Sequence, residues 1–303
     1  MSEYDVIIIG GGPAGLTAGL YAARAGLKSI LLERGNFGGQ IVNARLVENY
    51  PGFPEGISGT ELVEFMQRQA TKYGLETTPA EVTGVNKGST YEVATSKGNI
   101  QAKSIIIAAG AEYRKLAVAG EERLSGRGVS YCATCDGFFF RDREVAVVGG
   151  GDTAITDALE LAQHCRKVYI IHRRDQLRAT KAMQEKAFSQ PKIELLWNTV
   201  VQEIVGDKML SSLHLQNVKT GQSSDLEIDG VFVAVGIKPN NQVFSQLVDL
   251  DEAGFIITDE LMRTSPPGIF AAGDVRHNSF RQVITAAGDG AAAAMSAFRY
   301  VKE

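Results

Sequence analysis

Tyr4-Asp5-Val6-Ile7-Ile8-Ile9 runs directly into Gly10-Gly11-Gly12-Pro13-Ala14-Gly15. A short β-branched run ended by glycine predicts a buried parallel strand. The glycines fit G-x-G-x-x-G, and residues 16–25 predict a helix with small side chains toward the sheet. Gly26 closes that helix, residues 28–32 predict the next strand, and Glu33 ends it. Gly10 permits the tight turn, Gly12 lets the backbone approach a pyrophosphate, and Gly15 brings helix and strand together, with Pro13 and Ala14 on the loop between. The helix N-terminus offers free N–H groups and a positive dipole end, and Glu33 is placed to accept hydrogen bonds from a ribose diol. With strand, helix and acid all in position, the glycines predict a dinucleotide site.

The pattern returns further on. Residues 144–148 predict a strand, Gly149-Gly150-Gly151-Asp152-Thr153-Ala154 fits G-x-G-x-x-A, residues 153–164 predict a helix, and residues 167–171 predict the following strand. Where Glu33 stood in the first copy, this one has His172-Arg173-Arg174, with Arg178 just beyond. A carboxylate there would repel a 2′-phosphate, whereas arginines pair with one. The first site therefore suits a dinucleotide with a free ribose and the second suits NADPH.

Each half continues through alternating strands, at 91–95 and 211–218, and ends on an apolar strand and glycine, Ile105-Ile106-Ile107-Ala108-Ala109-Gly110 and Val231-Phe232-Val233-Ala234-Val235-Gly236. This predicts an α/β fold of two Rossmann-like nucleotide-binding domains, each a parallel sheet with an antiparallel meander. In the tail, residues 254–257 and 268–274 read as strands and 282–300 as a long Ala-rich helix. The tail is too short for a third domain and is expected to complete the first. The expected segments are 1–112 and 241–303 for the first domain and 113–240 for the second, with crossovers near 111–120 and 236–240.

Between the two fingerprints lies Cys132-Ala133-Thr134-Cys135-Asp136. Cysteines at this spacing are a redox dithiol or half a metal site. Zinc needs two more ligands. Cys165 stands alone in the helical stretch, and His164, His172, His214 and His277 show no paired ligand spacing, so no metal is expected. Asp136 reads either as a proton carrier beside the thiols or as a turn residue before Gly137. Phe138-Phe139-Phe140 follow, and three adjacent aromatics in a strand cannot all face the core, so at least one is available for docking.

Composition restricts the function classes. A chain of 303 residues holds roughly two domains. Its net charge of −4, without a long Lys/Arg run, argues against nucleic acid. No apolar run approaches the ~20 residues of a membrane span. The acidic start has no basic segment typical of a signal peptide, so a cytoplasmic location is expected. Three cysteines do not make a secreted disulfide framework.

Together these motifs resemble the bacterial-type, low-molecular-weight thioredoxin reductases over nearly the whole chain. Gly38-Gly39-Gln40, Glu48-Asn49-Tyr50-Pro51-Gly52, Gly273-Asp274 and Arg281-Gln282 add to the match. The resemblance implies a homodimeric enzyme that uses FAD and NADPH to reduce thioredoxin. It implies FAD on Gly10, Gly12, Pro13, Ala14, Gly15, Glu33, Gln40, Asn49, Asp274, Arg281, Gln282 and Val283. It implies NADPH on Gly149, Gly151, Asp152, Thr153, Ala154, His172, Arg173, Arg174 and Arg178. By the same resemblance Cys135 meets the flavin, Cys132 attacks the substrate disulfide, Asp136 donates a proton, and Arg127, Phe138 and Phe139 grip thioredoxin. The second domain is expected to rotate between half-reactions. Three other readings fit less well. The flavoprotein of a peroxide-reducing system would carry an N-terminal thioredoxin-like region, for which a glycine loop at residue 10 is too early. A ferredoxin–NADP reductase would lack the dithiol, and a non-catalytic nucleotide sensor would not need one.

Overall fold

The structure, a computed structural model, describes residues 3–44 and 46–303; Met1 and Ser2, at the start of the chain, lie outside them. The chain forms two compact units, one of Met1–Glu112 with Lys238–Glu303 and the other of Tyr113–Ile237.

In the first unit the parallel part of the sheet runs Glu76–Pro79, Ser29–Glu33, Glu3–Ile9, Gly98–Ile107, Ile269–Ala271. Gly98–Ile107 joins the parallel and antiparallel parts of one seven-stranded sheet. Its residues 105–107 pair parallel with Ile269–Ala271, while residues 98–102 pair antiparallel with Tyr91–Thr95, which leads on to Val82–Lys87. Successive side chains of a strand point to opposite faces. Val6, Ile8, Leu31, Ile106 and Phe270 accordingly pack on the helical face with Leu16 and Ala18. Ile7, Ile9, Ile30, Leu32, Ile105 and Ile107 pack on the other face with Val93, Phe244 and Ile256. Because both faces are covered, the strands are apolar throughout rather than alternating.

The Ala-rich helix Val283–Lys302 lies against the glycine-loop helix Pro13–Arg24. Gly290 makes this approach possible, since a Cβ there would stand 2.1 Å from the Ala14 carbonyl oxygen. The last helix thus supports the N-terminal end of the first helix, where the glycine loop turns.

In the second unit the parallel sheet runs Ile193–Trp197, Lys167–His172, Glu144–Gly149, Gly230–Ala234, Val129–Ser130. Val145 and Val147 pack toward the helix Asp152–His164, and Ala146 and Val148 toward a separate antiparallel sheet of Thr199–Gly206, Leu210–Asn217 and Ser223–Glu227. The two crossover segments, Ala111–Tyr113 and Ile237–Pro239, pair with each other as a short ribbon.

Several local expectations change. The first helix begins earlier, at Pro13 with Gly12 as N-cap, because proline suits the first helical position. Residues 254–257 do not form a strand; only Ile256 makes isolated bridges, to Leu250 and Arg276. Cys165 lies just past the helix end in extended backbone, fully buried. The aromatic run sits in a tight 3₁₀ turn, Gly137–Phe140, rather than a strand. Among the described residues no helix is long and apolar enough to cross a membrane, and no cluster of three acidic, His or Cys side chains could hold a metal ion.

Candidate active site

The first glycine loop is built for close approach. Gly10 has φ +111°, and a Cβ on Gly15 would stand 1.8 Å from the Gly10 carbonyl oxygen, so neither position admits a side chain. Glu33 ties the loop from below. Its Oε2 accepts from the Gly11 N–H (2.7 Å) and its Oε1 from the Gly35 N–H (2.9 Å). Each oxygen keeps a second lone pair for a further donor. The helix N-terminus has no side-chain cap, leaving N–H groups of its first turn unclaimed. Gly38 and Gly39 both have positive φ and lead into the 3₁₀ turn Gly39–Asn43, on which Gln40 is exposed.

Residues remote in sequence converge on the same unit. The Asn49 amide donates to Gln282 Oε1 (3.1 Å), and Gln282 caps the last helix through a reciprocal box with Thr285. Arg281, just before it, has φ +56° and lies 5.0 Å over the Phe255 ring, with its Nε buried and unbonded. Asp274 sits on the turn Gly273–Val275, where burial raises its carboxyl pKa while Arg281 and a Ser279 hydrogen bond lower it. That turn is held by an ion pair absent from the sequence reading. Asp289 accepts from Arg276 Nε (2.7 Å), Arg276 Nη2 (3.1 Å) and the Gly273 N–H (3.1 Å).

The second glycine loop rests on His172. Its ring is buried, 6% exposed, and a Cβ on Gly150 would stand 2.3 Å from it. Burial lowers its pKa, so the ring is biased toward neutrality. The Gly150 carbonyl accepts from the Arg178 N–H (2.6 Å), and Asp152 accepts from the Thr180 N–H (2.8 Å), which fixes the following segment beside the loop. A cavity of about 360 Å³ opens there, lined by Arg173, Arg174, Arg178, Asn198 and Lys219. Arg173, Arg174 and Arg178 are exposed. Lys219 belongs to a hairpin turn distant in sequence and is paired with Asp175 at 2.6 Å, so no local motif marked it. Thr153 and Ala154 open the helix, and Ala154 is buried against the sheet.

Cys132 and Cys135 are joined as a disulfide. Cys132 is the N-cap of the short helix Ala133–Asp136, and its Sγ accepts from the Cys135 N–H at 3.2 Å. A donor aimed at this sulfur favours its thiolate after reduction. Cys132 is half-buried and Cys135 exposed. Burial raises the pKa of Asp136, opposed by a 2.6 Å hydrogen bond from Ser130. Glu121, 2% exposed, accepts from the N–H groups of Leu116 (2.9 Å) and Ala117 (2.8 Å) and from the Tyr131 hydroxyl (3.0 Å). It ties the segment after the first crossover to the residue before Cys132. Neither Ser130 nor Glu121 stood out in sequence, because a buried polar residue is recognisable only by its partners. In the aromatic turn Phe140 packs edge-on against Phe232 at 5.3 Å, whereas Phe138 and Phe139 are 61% and 49% exposed. Arg127 is exposed on the turn before Val129–Ser130.

Residues 4–290 match the family model for pyridine nucleotide-disulphide oxidoreductases. A thioredoxin reductase from Listeria innocua is 50% identical over 302 residues, covering 99% of this chain and 94% of that one. One from Bacillus subtilis is 47% identical, covering 100% and 97%. The chain belongs to this family, among the thioredoxin reductases. The crystal structure of thioredoxin reductase from Streptococcus pyogenes matches with a TM-score of 0.96 at 48% identity, over 99% of this chain and 98% of that one. The Lactococcus lactis thioredoxin reductase in its FR conformation matches at 0.67 and 49% identity, over 99% of each chain.

As in the family at large, FAD and NADPH are the cofactors, and the residues fit both. A Cβ on Gly12 would meet nothing nearer than 3.9 Å, and one on Gly151 nothing within 4 Å, so each loop presents bare backbone on its open side. The buried, unbonded Arg281 Nε and the half-buried Asp274 carboxyl suit a polar group in the first unit. The arginine-lined cavity suits a 2′-phosphate in the second.

Proposed function

We propose that this chain is an NADPH-dependent thioredoxin-disulfide reductase, with FAD held by residues 1–112 and 241–303 and NADPH by residues 113–240. The observation that carries the reading is the Cys132–Cys135 disulfide in the same unit as a glycine loop flanked by an arginine cavity. When bound, NADPH supplies a hydride and FAD carries its electron pair to the disulfide. Gly10, Gly12, Pro13, Ala14 and Gly15 hold the FAD pyrophosphate, and Glu33 holds its ribose. Gln40, Asn49, Asp274, Arg281, Gln282 and Val283 hold the remainder. Gly149, Gly151, Asp152, Thr153 and Ala154 hold the NADPH pyrophosphate, while Arg173, Arg174 and Arg178 take the 2′-phosphate. His172 acts from beneath, keeping Gly150 in place.

Cys132 is the thiol that attacks the substrate, since the Cys135 N–H favours its thiolate. Asp136, whose pKa burial raises against the opposing Ser130 bond, is placed to exchange a proton within the dithiol turn. Phe138 and Phe139 offer thioredoxin an apolar grip, and Arg127 adds a charge. The second unit rotates about the paired crossovers, so that dithiol and nicotinamide take turns at the flavin. One of the relatives, from Lactococcus lactis, is described in a named FR conformation, in line with such a rearrangement in the family. A homodimer follows from the family resemblance, and a hollow of mixed polarity on the first unit, lined among others by Leu20, Tyr21, Tyr50, Met66 and Gln69, is a surface open to a second copy. The working location is the cytoplasm, where a dithiol is kept in turnover.

The test is oxidation of NADPH and NADH by the FAD-loaded chain, with and without thioredoxin. The expected result is thioredoxin-dependent oxidation of NADPH and little of NADH. Oxidation that ignores thioredoxin would refute the proposal.

A further inference from the structure

Ser130 ends the short edge strand Val129–Ser130, two residues before the dithiol, and is 4% exposed. Its hydroxyl makes three short-range contacts. It donates to Asp136 Oδ2 at 2.6 Å, accepts from the Cys132 N–H at 3.1 Å, and lies 3.4 Å from the Cys132 carbonyl oxygen. A hydroxyl has one proton to donate. At these distances the ionised Asp136 claims it, and the Cys132 carbonyl is the alternative acceptor when Asp136 is protonated. One small rotor therefore touches both the carboxyl and the backbone of the first cysteine.

We infer that Ser130 is a positioning residue for proton transfer, which holds Asp136 toward the dithiol and holds its ionisation within working range. The inference rests on Asp136 being the proton carrier proposed above. The two electrons that NADPH supplies through the flavin break the S–S bond and leave two thiolates; Asp136 delivers a proton to one sulfur and regains one from water. Without the Ser130 donor the ionised carboxyl loses the side-chain hydrogen bond it receives among the described residues, while burial still raises its pKa.

The helix Asp152–His164, packed against Ala133–Asp136, carries its own titratable groups, Asp152, Asp157, Glu160 and His164. Burial and Glu160 push the pKa of Asp157 up to about 7. Asp152 bonds the Thr180 N–H, and Glu160 bonds the Thr134 hydroxyl at 2.9 Å. The neighbouring Tyr131 hydroxyl is bonded to Glu121. The turn Gly137–Phe140 and the strand Val129–Ser130 carry no titratable side chain. Burial and the Ser130 bond are the influences that act on Asp136.

The test compares wild type, Ser130→Ala, Ser130→Thr and Asp136→Asn as FAD-loaded enzymes, by the pH profile of thioredoxin turnover from pH 5 to 10. The infrared carbonyl band of protonated Asp136, identified by its loss in Asp136→Asn, is titrated in parallel. Ser130→Ala should move the alkaline limb and the band's titration upward together by about one pH unit or more. Ser130→Thr, which keeps the hydroxyl, should restore both. If Ser130→Ala fails to fold, Ser130→Gly, which likewise removes the donor, should give the same upward shift. A lower rate with limb and band unmoved would overturn the inference and leave Asp136 as the carrier. An unaltered limb in Asp136→Asn would instead remove the carrier itself, and the inference with it.

Discussion

Replacing Asp289 by Ala should destabilise the first unit more than any single exposed substitution. Asp289 and Arg276 have side chains only 13% and 16% exposed and meet through two nitrogen–oxygen contacts, at 2.7 and 3.1 Å. The same carboxylate accepts the Gly273 N–H, so its removal also releases the turn that carries Asp274. Arg276 would keep a bond to the Thr258 hydroxyl at 2.9 Å but lose its counter-charge. Breaking a buried pair by deleting one partner costs about 3–5 kcal/mol, and the residual exposure places this one near ~3. For a unit of this size that is a fall of roughly 6–12 °C in melting temperature, at about 2–4 °C per kcal/mol. Thermal unfolding followed by circular dichroism measures it, and FAD retention after gel filtration reports on the Asp274 turn. A fall of less than about 2 °C with full FAD retention would refute the argument that this pair organises the turn.

Cys132→Ser and Cys135→Ser should each abolish thioredoxin reduction while leaving flavin reduction by NADPH intact in stopped-flow absorbance; normal turnover by either would break the relay. Arg173→Ala with Arg174→Ala should raise KM for NADPH tenfold or more, from about 1.5–3 kcal/mol per charged bond lost, and leave the poor use of NADH unchanged. Burial, with the charge of Glu160 adding, pushes Asp157 up from 3.8 to about 7. A carboxyl with a raised folded pKa binds more protons folded than unfolded, so its effect on stability worsens as pH rises from about 4 to 7. Asp157→Asn should therefore stabilise the chain at pH 8 more than at pH 5, by an unfolding free energy on the order of 2–4 kcal/mol from urea titrations. An equal pH dependence in wild type and variant would exclude it.

The nucleotide-binding units were legible because their physics is local. A parallel strand buried on both faces must be apolar throughout, as at Val6–Ile9. The turn after it must be glycine, since no Cβ fits at Gly10 or Gly15. The change from Glu33 to Arg173 and Arg174 could be read at one strand end without knowing what packs above it. Residues 254–257 misled because an apolar stretch in a loop obeys the same composition as a strand, and only the bridges of Ile256 reveal its path.

The chemistry of each site was therefore written in contiguous motifs: two glycine loops, one dithiol and the charge at two strand ends. Its support was not. Asn49 reaches Gln282, Asp289 clamps Arg276, and Glu121 gathers Leu116, Ala117 and Tyr131. Lys219 enters the arginine cavity from another hairpin, and His172, placed by sequence among the cofactor residues, lies buried under Gly150. A buried polar group must find its hydrogen-bond partner wherever the fold brings one, and separation along the chain carries no record of that choice. Glycine and β-branched patterns are dictated by backbone sterics within a few residues, whereas these pairings exist only once sheets and helices have packed.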